Sequence, residues 1–143
     1  MRISTKGRYS LIALLYLALL DRESSTSMRE LAGATGISEG YLEQLFIPLR
    51  KSGIIQGVRG PQGGYFFEKA PKTIAVGDIL RSVEGSLSPT ECVDRQNCPA
   101  ESSCPSYRTW LALHTSIADC VDSITLQDLV DDYLADHEPE YAI

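Results

Sequence analysis

The stretch MRELAGATGISEGYLEQLFIPLRKSG, residues 28–53, leaves few folds open. Apolar residues recur at helical spacing in two runs, and a glycine separates them. The first run predicts a short helix, Met28 to Ala34, that buries Leu31. Gly36 makes the turn and Ile37 tucks beneath it. Ser38 caps a second helix that buries Leu42, Leu45, Phe46 and Leu49 and stops at Gly53. Two helices joined by a few residues with glycine at the turn form a helix-turn-helix pattern. Pro48 lacks the amide that would bond the Gln44 carbonyl, so a kink is expected in the last turn.

The next residues, IIQGVRGPQGGYFFEKA, narrow the choice further. They predict two short strands, Ile54–Val58 and Tyr65–Glu68, around the punctuating RGPQGG. A helix-turn-helix followed at once by such a hairpin is a winged helix. Around it, STKGRYSLIALLYLALL predicts a first helix capped by Ser4 or Thr5, with Tyr9, Ile12, Ala13, Tyr16, Leu17 and Leu20 on its buried face. DRESSTS is a polar loop. AVGDILRSVEG predicts a helix with Val76, Ile79, Leu80 and Val83 on one face. YRTWLALHTSIADCVDSI predicts a long helix over 107–124, and Thr125 with Asp128 opens a last short one. The tail DHEPEYAI is expected to fray. The expected fold class is therefore mainly α with a small β-hairpin wing: a winged helix-turn-helix plus a long dimerisation helix. Residues 1–72 form the expected DNA-binding domain. Residues 73–143 hold a linker helix, a cysteine-rich loop at 91–107, the dimerisation helix and the tail.

Charge supports the division. The net charge of −6 argues against nucleic acid only on average. Residues 1–80 carry 10 Lys and Arg against 7 Asp and Glu, whereas residues 81–143 carry 3 against 12. A basic front and an acidic back fit a polyanion-binding head. Arg2, Lys6 and Arg8 before the apolar run Leu11–Leu20 imitate a signal peptide, but Asp21 and Arg22 stand where a cleavage site belongs. The run is also too short for a membrane span of about 20 residues. The expectation is a cytoplasmic protein with no membrane association. No catalytic dyad with convincing spacing is present: His114 and His137 have no evident partner, and RGPQGG lies in a hairpin rather than before a helix. An enzyme is not expected.

A recognition helix enters the major groove with its first turns toward the bases. That turns Ser38, Gly40, Tyr41, Glu43 and Gln44 outward, since Leu42 and Leu45 face the core. Glu43 suits cytosine N4 and Gln44 suits adenine. Arg50 and Lys51 suit phosphates. Arg59, at the start of the wing loop, suits a narrow minor groove. Gly60, Gly63 and Gly64 let that loop approach DNA closely, and Arg2, Lys6 and Arg8 add phosphate contacts. Glu43 and Gln44 also fit ordinary solvated helix positions, and a winged helix can serve as a protein-docking module. On the long helix, Trp110, Leu113, Ile117 and Val121 form an apolar stripe that suits a homodimer. A dimer would set two recognition helices one turn apart, about 34 Å, on a palindromic double-stranded operator.

Within ECVDRQNCPAESSCPSY, Cys92, Cys98 and Cys104 stand six residues apart, and Cys120 follows alone. Three clustered cysteines leave one over for a disulfide framework. Zinc sites usually show close pairs such as C-x₂-C, which this spacing lacks. A loop that wraps an iron–sulfur cluster and a flexible loop with free thiols both remain open on spacing alone.

ISTKGRYSL, GISEGYLEQLFIPLRKSGII, VRGPQGGY and VGDILRSVEG resemble the IscR, NsrR and CymR family of bacterial winged-helix repressors, over nearly the whole chain. The cysteine spacing resembles that of the cluster-binding members. The resemblance implies a homodimeric DNA-binding regulator whose affinity responds to an iron–sulfur cluster, [2Fe–2S] or [4Fe–4S], on Cys92, Cys98 and Cys104. A cluster-free thiol-redox or effector-responsive regulator of sulfur metabolism, as in CymR-like members, is the alternative. The chain departs from the pattern at the fourth ligand. Where IscR-like proteins place a histidine, this chain has Tyr107; where NsrR-like proteins place an acidic residue on the first helix, it has Arg8. His114 and Cys120 remain by chemistry, but Cys120 lies about 20 Å along the helix from Tyr107 and suits a small residue of the dimer stripe instead; Tyr107, Ser106, a solvent molecule or a small thiol are the other options.

Overall fold

A computed structural model describes residues 2–20, 25–94 and 98–138. Residues 21–24 of the expected polar loop, 95–97 of the expected cysteine loop and 139–143 of the expected tail lie outside the described residues.

Helix α1, Thr5–Leu20, precedes the helix-turn-helix pair α2, Met28–Thr35, and α3, Glu39–Lys51. The local signals of the pair work as expected. Ser27 caps α2 through Glu30 N–H, and Gly36 closes it at φ 76°. Ser38 caps α3 by accepting from Tyr41 N–H at 3.3 Å. The helix runs on through Pro48 to Lys51 and ends before Gly53, at φ 78°. Leu42, Leu45, Phe46 and Leu49 are all buried.

Strands β1, Ile55–Val58, and β2, Gly64–Phe67, form the antiparallel hairpin, with Ile55 opposite Phe67 and Val58 opposite Gly64. Each begins one residue away from the expected start. Thr26 adds a single bridge beside Tyr65, its amide and carbonyl exchanging bonds with Tyr65 at 2.9 and 2.8 Å. This contact gives the wing glycines a reason other than access to DNA. A Cβ on Gly64 would collide with the Thr26 backbone, and one on Gly63 with the carbonyls of Val58 and Gly60. Tyr65 meets Phe46 edge to face, ring centres 4.9 Å apart, and so joins the wing to α3.

A short 3₁₀ turn, Pro71–Thr73, leads to α4, Val76–Glu84. Then follow α5, Glu91–Asp94, the long α6, Tyr107–Ser123, and α7, Leu126–Asp136. Thr125 and Asp128 form the expected capping box of α7. Ala75 and Thr125 bridge, which ties the start of α4 to the start of α7. Ile74, Ile79 and Leu126 join Leu14, Leu17, Leu31 and the α3 residues in one buried cluster. The segments on either side of residue 72 therefore share a core.

Helix α1 corrects two expectations. Its buried face is Gly7, Ser10, Ala13, Leu14 and Leu17, rotated from the expected stripe, and Tyr9 and Ile12 are exposed. Ser4 stands at the N-cap, its carbonyl accepting from Arg8 N–H at 3.2 Å, but neither its hydroxyl nor that of Thr5 caps the free amides. Glu84, at the end of α4, does so: its Oε1 accepts from Ser4 N–H at 2.9 Å and Gly7 N–H at 3.0 Å, and also from the Ser4 hydroxyl. A carboxylate at a helix N-terminus satisfies orphan amides and complements the helix dipole.

Candidate nucleic-acid interface and cysteine groove

The front of the head presents most of the residues expected at DNA. Gly40, Glu43, Gln44, Arg50, Lys51, Arg59 and Gly60 are exposed, as are Arg2, Lys6 and Arg8. Two serve the fold as well. The Ser38 hydroxyl is engaged as the α3 cap, and half-buried Tyr41 packs edge to face on Tyr9 at 5.9 Å. Lys6, Tyr41 and Gln44 line one hollow of about 160 Å³, so the start of α1 adjoins the face of α3. The Arg50 guanidinium sits over Gly57 of β1, at the base of the wing. Gly60 adopts φ 113°, a conformation side chains disfavour, so the tip of the wing needs glycine there.

The expected dimer stripe on α6 divides. Ile117 and Val121 pack against Val76, Leu80 and Leu87 of the same chain. Gly77 allows this approach, because a Cβ there would meet Asp122 and Val121. Arg81 locks it with two bonds to the Asp122 carboxylate, at 2.7 and 3.0 Å. The pair raises the Arg81 pKa and lowers that of Asp122, chiefly through these bonds. Leu111 and Leu113 stay exposed, with 40 % and 43 % of their surface in water. Trp110 is half-buried and donates its indole N–H to the Ser106 hydroxyl at 3.1 Å. The four expected residues share one side of the helix, but its far end at Ile117 and Val121 leans on α4 while Leu113, nearer the start, is open. Spacing shows an apolar face but not whether the chain itself covers it.

All four cysteines are free thiols. Cys98 and Cys104 open on one groove of about 710 Å³, shared with Glu101, Tyr107 and Arg108. Cys104 lies 3.4 Å from the Ser106 hydroxyl, and bonds from Ser106 pull its thiol pKa below the usual range. Cys92, in α5, lies 3.1 Å from the Thr90 hydroxyl. The Tyr107 phenol is pushed upward by desolvation first, then by Glu101, Cys98 and Cys92. The phenol therefore stands within the electrostatic reach of two of the thiols and a carboxylate. Among the described residues, no three His, Cys, Asp or Glu side chains converge to hold a metal ion. The donor set fits an iron–sulfur cluster, three soft thiolates with a hard oxygen beside them. The loop has to contract for all three to reach one.

The other fourth-ligand candidates point elsewhere. His114 faces Ser88 at 3.2 Å in a separate hollow, and Cys120 is exposed on α6 beyond it. Sequence reasoning passed over Glu84 and Glu101. Glu101 had a visible signal, midway between Cys98 and Cys104; Glu84 acts on Ser4 and Gly7, 80 and 77 residues away, which no local pattern reveals.

A helix-turn-helix with a hairpin wing and a basic front defines a winged-helix DNA-binding regulator. The chain belongs to the Rrf2 family, whose model, an iron-dependent transcriptional regulator, matches residues 3–132. It is similar to the HTH-type transcriptional regulator IscR of Pectobacterium carotovorum, with 40% identity over 91% of this chain and 79% of that one. Among solved structures it is similar to T. potens IscR, with TM-score 0.74 and 37% identity over 98% of this chain and 93% of that one. It is also similar to CymR, the global cysteine regulator of B. subtilis, with TM-score 0.73 and 38% identity over 92% and 97% of the two chains. The chain is a transcriptional regulator of this type and not an enzyme. Among the described residues no helix is long and apolar enough to cross a membrane.

Proposed function

We propose that this chain is a homodimeric repressor that binds a palindromic operator with an affinity set by an iron–sulfur cluster on Cys92, Cys98 and Cys104. The observation that carries this reading is the groove. Two thiols open into it, and the third is felt by the same phenol. When bound, the cluster supplies a redox-active anion that ties the loop together. The rest is the work of the protein's own residues. Glu43 and Gln44 meet base edges, Arg50 and Lys51 the phosphates, and Arg59 a minor groove. The apolar stripe of Trp110, Leu113, Ile117 and Val121, open at Leu113, receives the second copy. The loop joins α5 to α6, and α6 leans on α4, whose Glu84 caps α1 beside the reading face. Ordering the loop thereby biases how the heads are set, by as much as cluster affinity differs between the two arrangements.

The test is protein purified without oxygen. Visible absorption with bound iron should appear in the wild type and vanish in Cys92→Ala, Cys98→Ala and Cys104→Ala, while Cys120→Ala keeps it. Retention in Cys98→Ala, or loss in Cys120→Ala, would refute the assignment. The lowered thiol of Cys104 favours a second reading, a cluster-free thiol switch. Its sign would be iron-free protein whose operator binding is lost on mild oxidation and restored by a thiol reductant.

A further inference from the structure

From Cys98 to Tyr107 every third residue carries a group with ligand chemistry: Cys98, Glu101, Cys104 and Tyr107. The backbone makes this spacing count. Glu101 N–H bonds the Cys98 carbonyl at 3.2 Å, Cys104 N–H bonds the Ala100 carbonyl at 2.7 Å, and Tyr107 N–H bonds the Cys104 carbonyl at 3.4 Å. Successive tight turns bring residues i and i+3 onto one side. All four side chains accordingly line the same groove.

We propose that Glu101 is the fourth ligand, its carboxylate closing the site from the same subunit as the three cysteines. This rests on the cluster reading above. Of the two oxygen groups in the groove, Glu101 is the one that stands between the cysteines, three residues from Cys98 and three from Cys104. Arg108 on the groove's edge cannot ligate but offsets the added negative charge. His114 is turned to Ser88, and Cys120 lies about 20 Å along α6 from the groove. Glu101 is exposed in a turn, its carboxylate beside the Tyr107 phenol in the groove. A carboxylate oxygen, harder than the three thiolates, would be the most readily displaced of the four protein ligands.

The experiment compares wild type, Glu101→Gln, Glu101→Cys, Tyr107→Phe and Cys98→Ala, each full-length and purified without oxygen. The readouts are the visible spectrum, the electron paramagnetic resonance of the reduced cluster, and the rate of iron loss to a chelator. Glu101→Gln should lose iron at least about tenfold faster with an altered resonance. Glu101→Cys should show the spectrum of an all-thiolate cluster and lose iron more slowly. Tyr107→Phe should match wild type. Wild-type spectrum, resonance and iron loss in both Glu101 variants would overturn the assignment while leaving the cluster in place, as would a change in Tyr107→Phe alone. No cluster in wild type, or one retained in Cys98→Ala, would overturn the reading beneath it.

Discussion

Helices α3 and α6 are both amphipathic, but they are held in opposite ways. Helix α3 buries four apolar side chains in the core shared by α1, α2, α4 and the hairpin. Helix α6 is longer, at 17 residues, and none of them is buried. It rests on α4 through Ile117 and Val121, on an exposed ion pair, and on the Trp110–Ser106 bond. The reading head thus carries its own geometry, and the back depends on what else it touches. Regions with few buried contacts open at low free energy, and elements that respond to ligands are drawn from them.

The comparison can be broken most forcefully in the core. Phe46→Ala should destabilise the chain by about 3–5 kcal/mol in denaturant unfolding, because it removes a fully buried ring and the partner of Tyr65. A loss below about 1 kcal/mol would show that α3 is not held by its core.

The back should fail differently. Leu113→Glu should cost the dimer about 2–4 kcal/mol in sedimentation while leaving unfolding of the single chain within about 0.5 kcal/mol. Unchanged dimerisation would place the second copy on another face.

A smaller effect sharpens the role of the wing. Arg59→Ala should weaken operator binding by about 1–3 kcal/mol, measured by titration at fixed salt, without changing stability. Equal affinities of variant and wild type would remove Arg59 from the groove.

The smallest effect lies between the two regions. Asp122→Asn breaks the pair with Arg81, whose side chains are 38 % and 45 % exposed, so it should cost no more than about 1 kcal/mol at pH 7. Asp122 has its pKa lowered in the folded chain. Its contribution is therefore complete above the unfolded carboxylate value, near 4, and disappears as pH falls through the lower folded value. Wild type and Asp122→Asn should converge in stability under acid. A gap that widens there would assign the effect to another group.

The parts legible in the sequence are those whose causes are local. Ser38, Gly36 and Gly53 bound α3 as expected, and Thr125 with Asp128 opens α7, because caps act within four residues. The hairpin was legible to within one residue from its glycines. The face of α1 was not. Tyr9 and Ile12 look like core by spacing, but Leu14 and Ser10 face α1's neighbours instead, and only tertiary packing decides between two apolar sides. Spacing likewise puts Trp110, Leu113, Ile117 and Val121 on one stripe of α6 but does not show that α4 covers only its far end. At the candidate site, the three cysteines were visible as a set. The turn bonds that align Glu101 with them were not, because a repeat of three in a loop rich in Pro and Ser does not by itself fix the backbone.

The carboxylate that finishes α1 is written 77 residues after the helix it caps. At synthesis rates of about 5–20 residues per second, Glu84 leaves the ribosome roughly 4–15 seconds after Gly7. Through that interval the opening turn of α1 has its amides in water. The first helix to be made is thus among the last to be completed, and its start is sealed only when α4 docks. A chain cut at residue 72 would lack that seal along with Ile74, Ile79 and Leu126 from its core. Such a fragment should retain the recognition motif in sequence but hold it loosely, since the piece that reads is completed by the piece that follows.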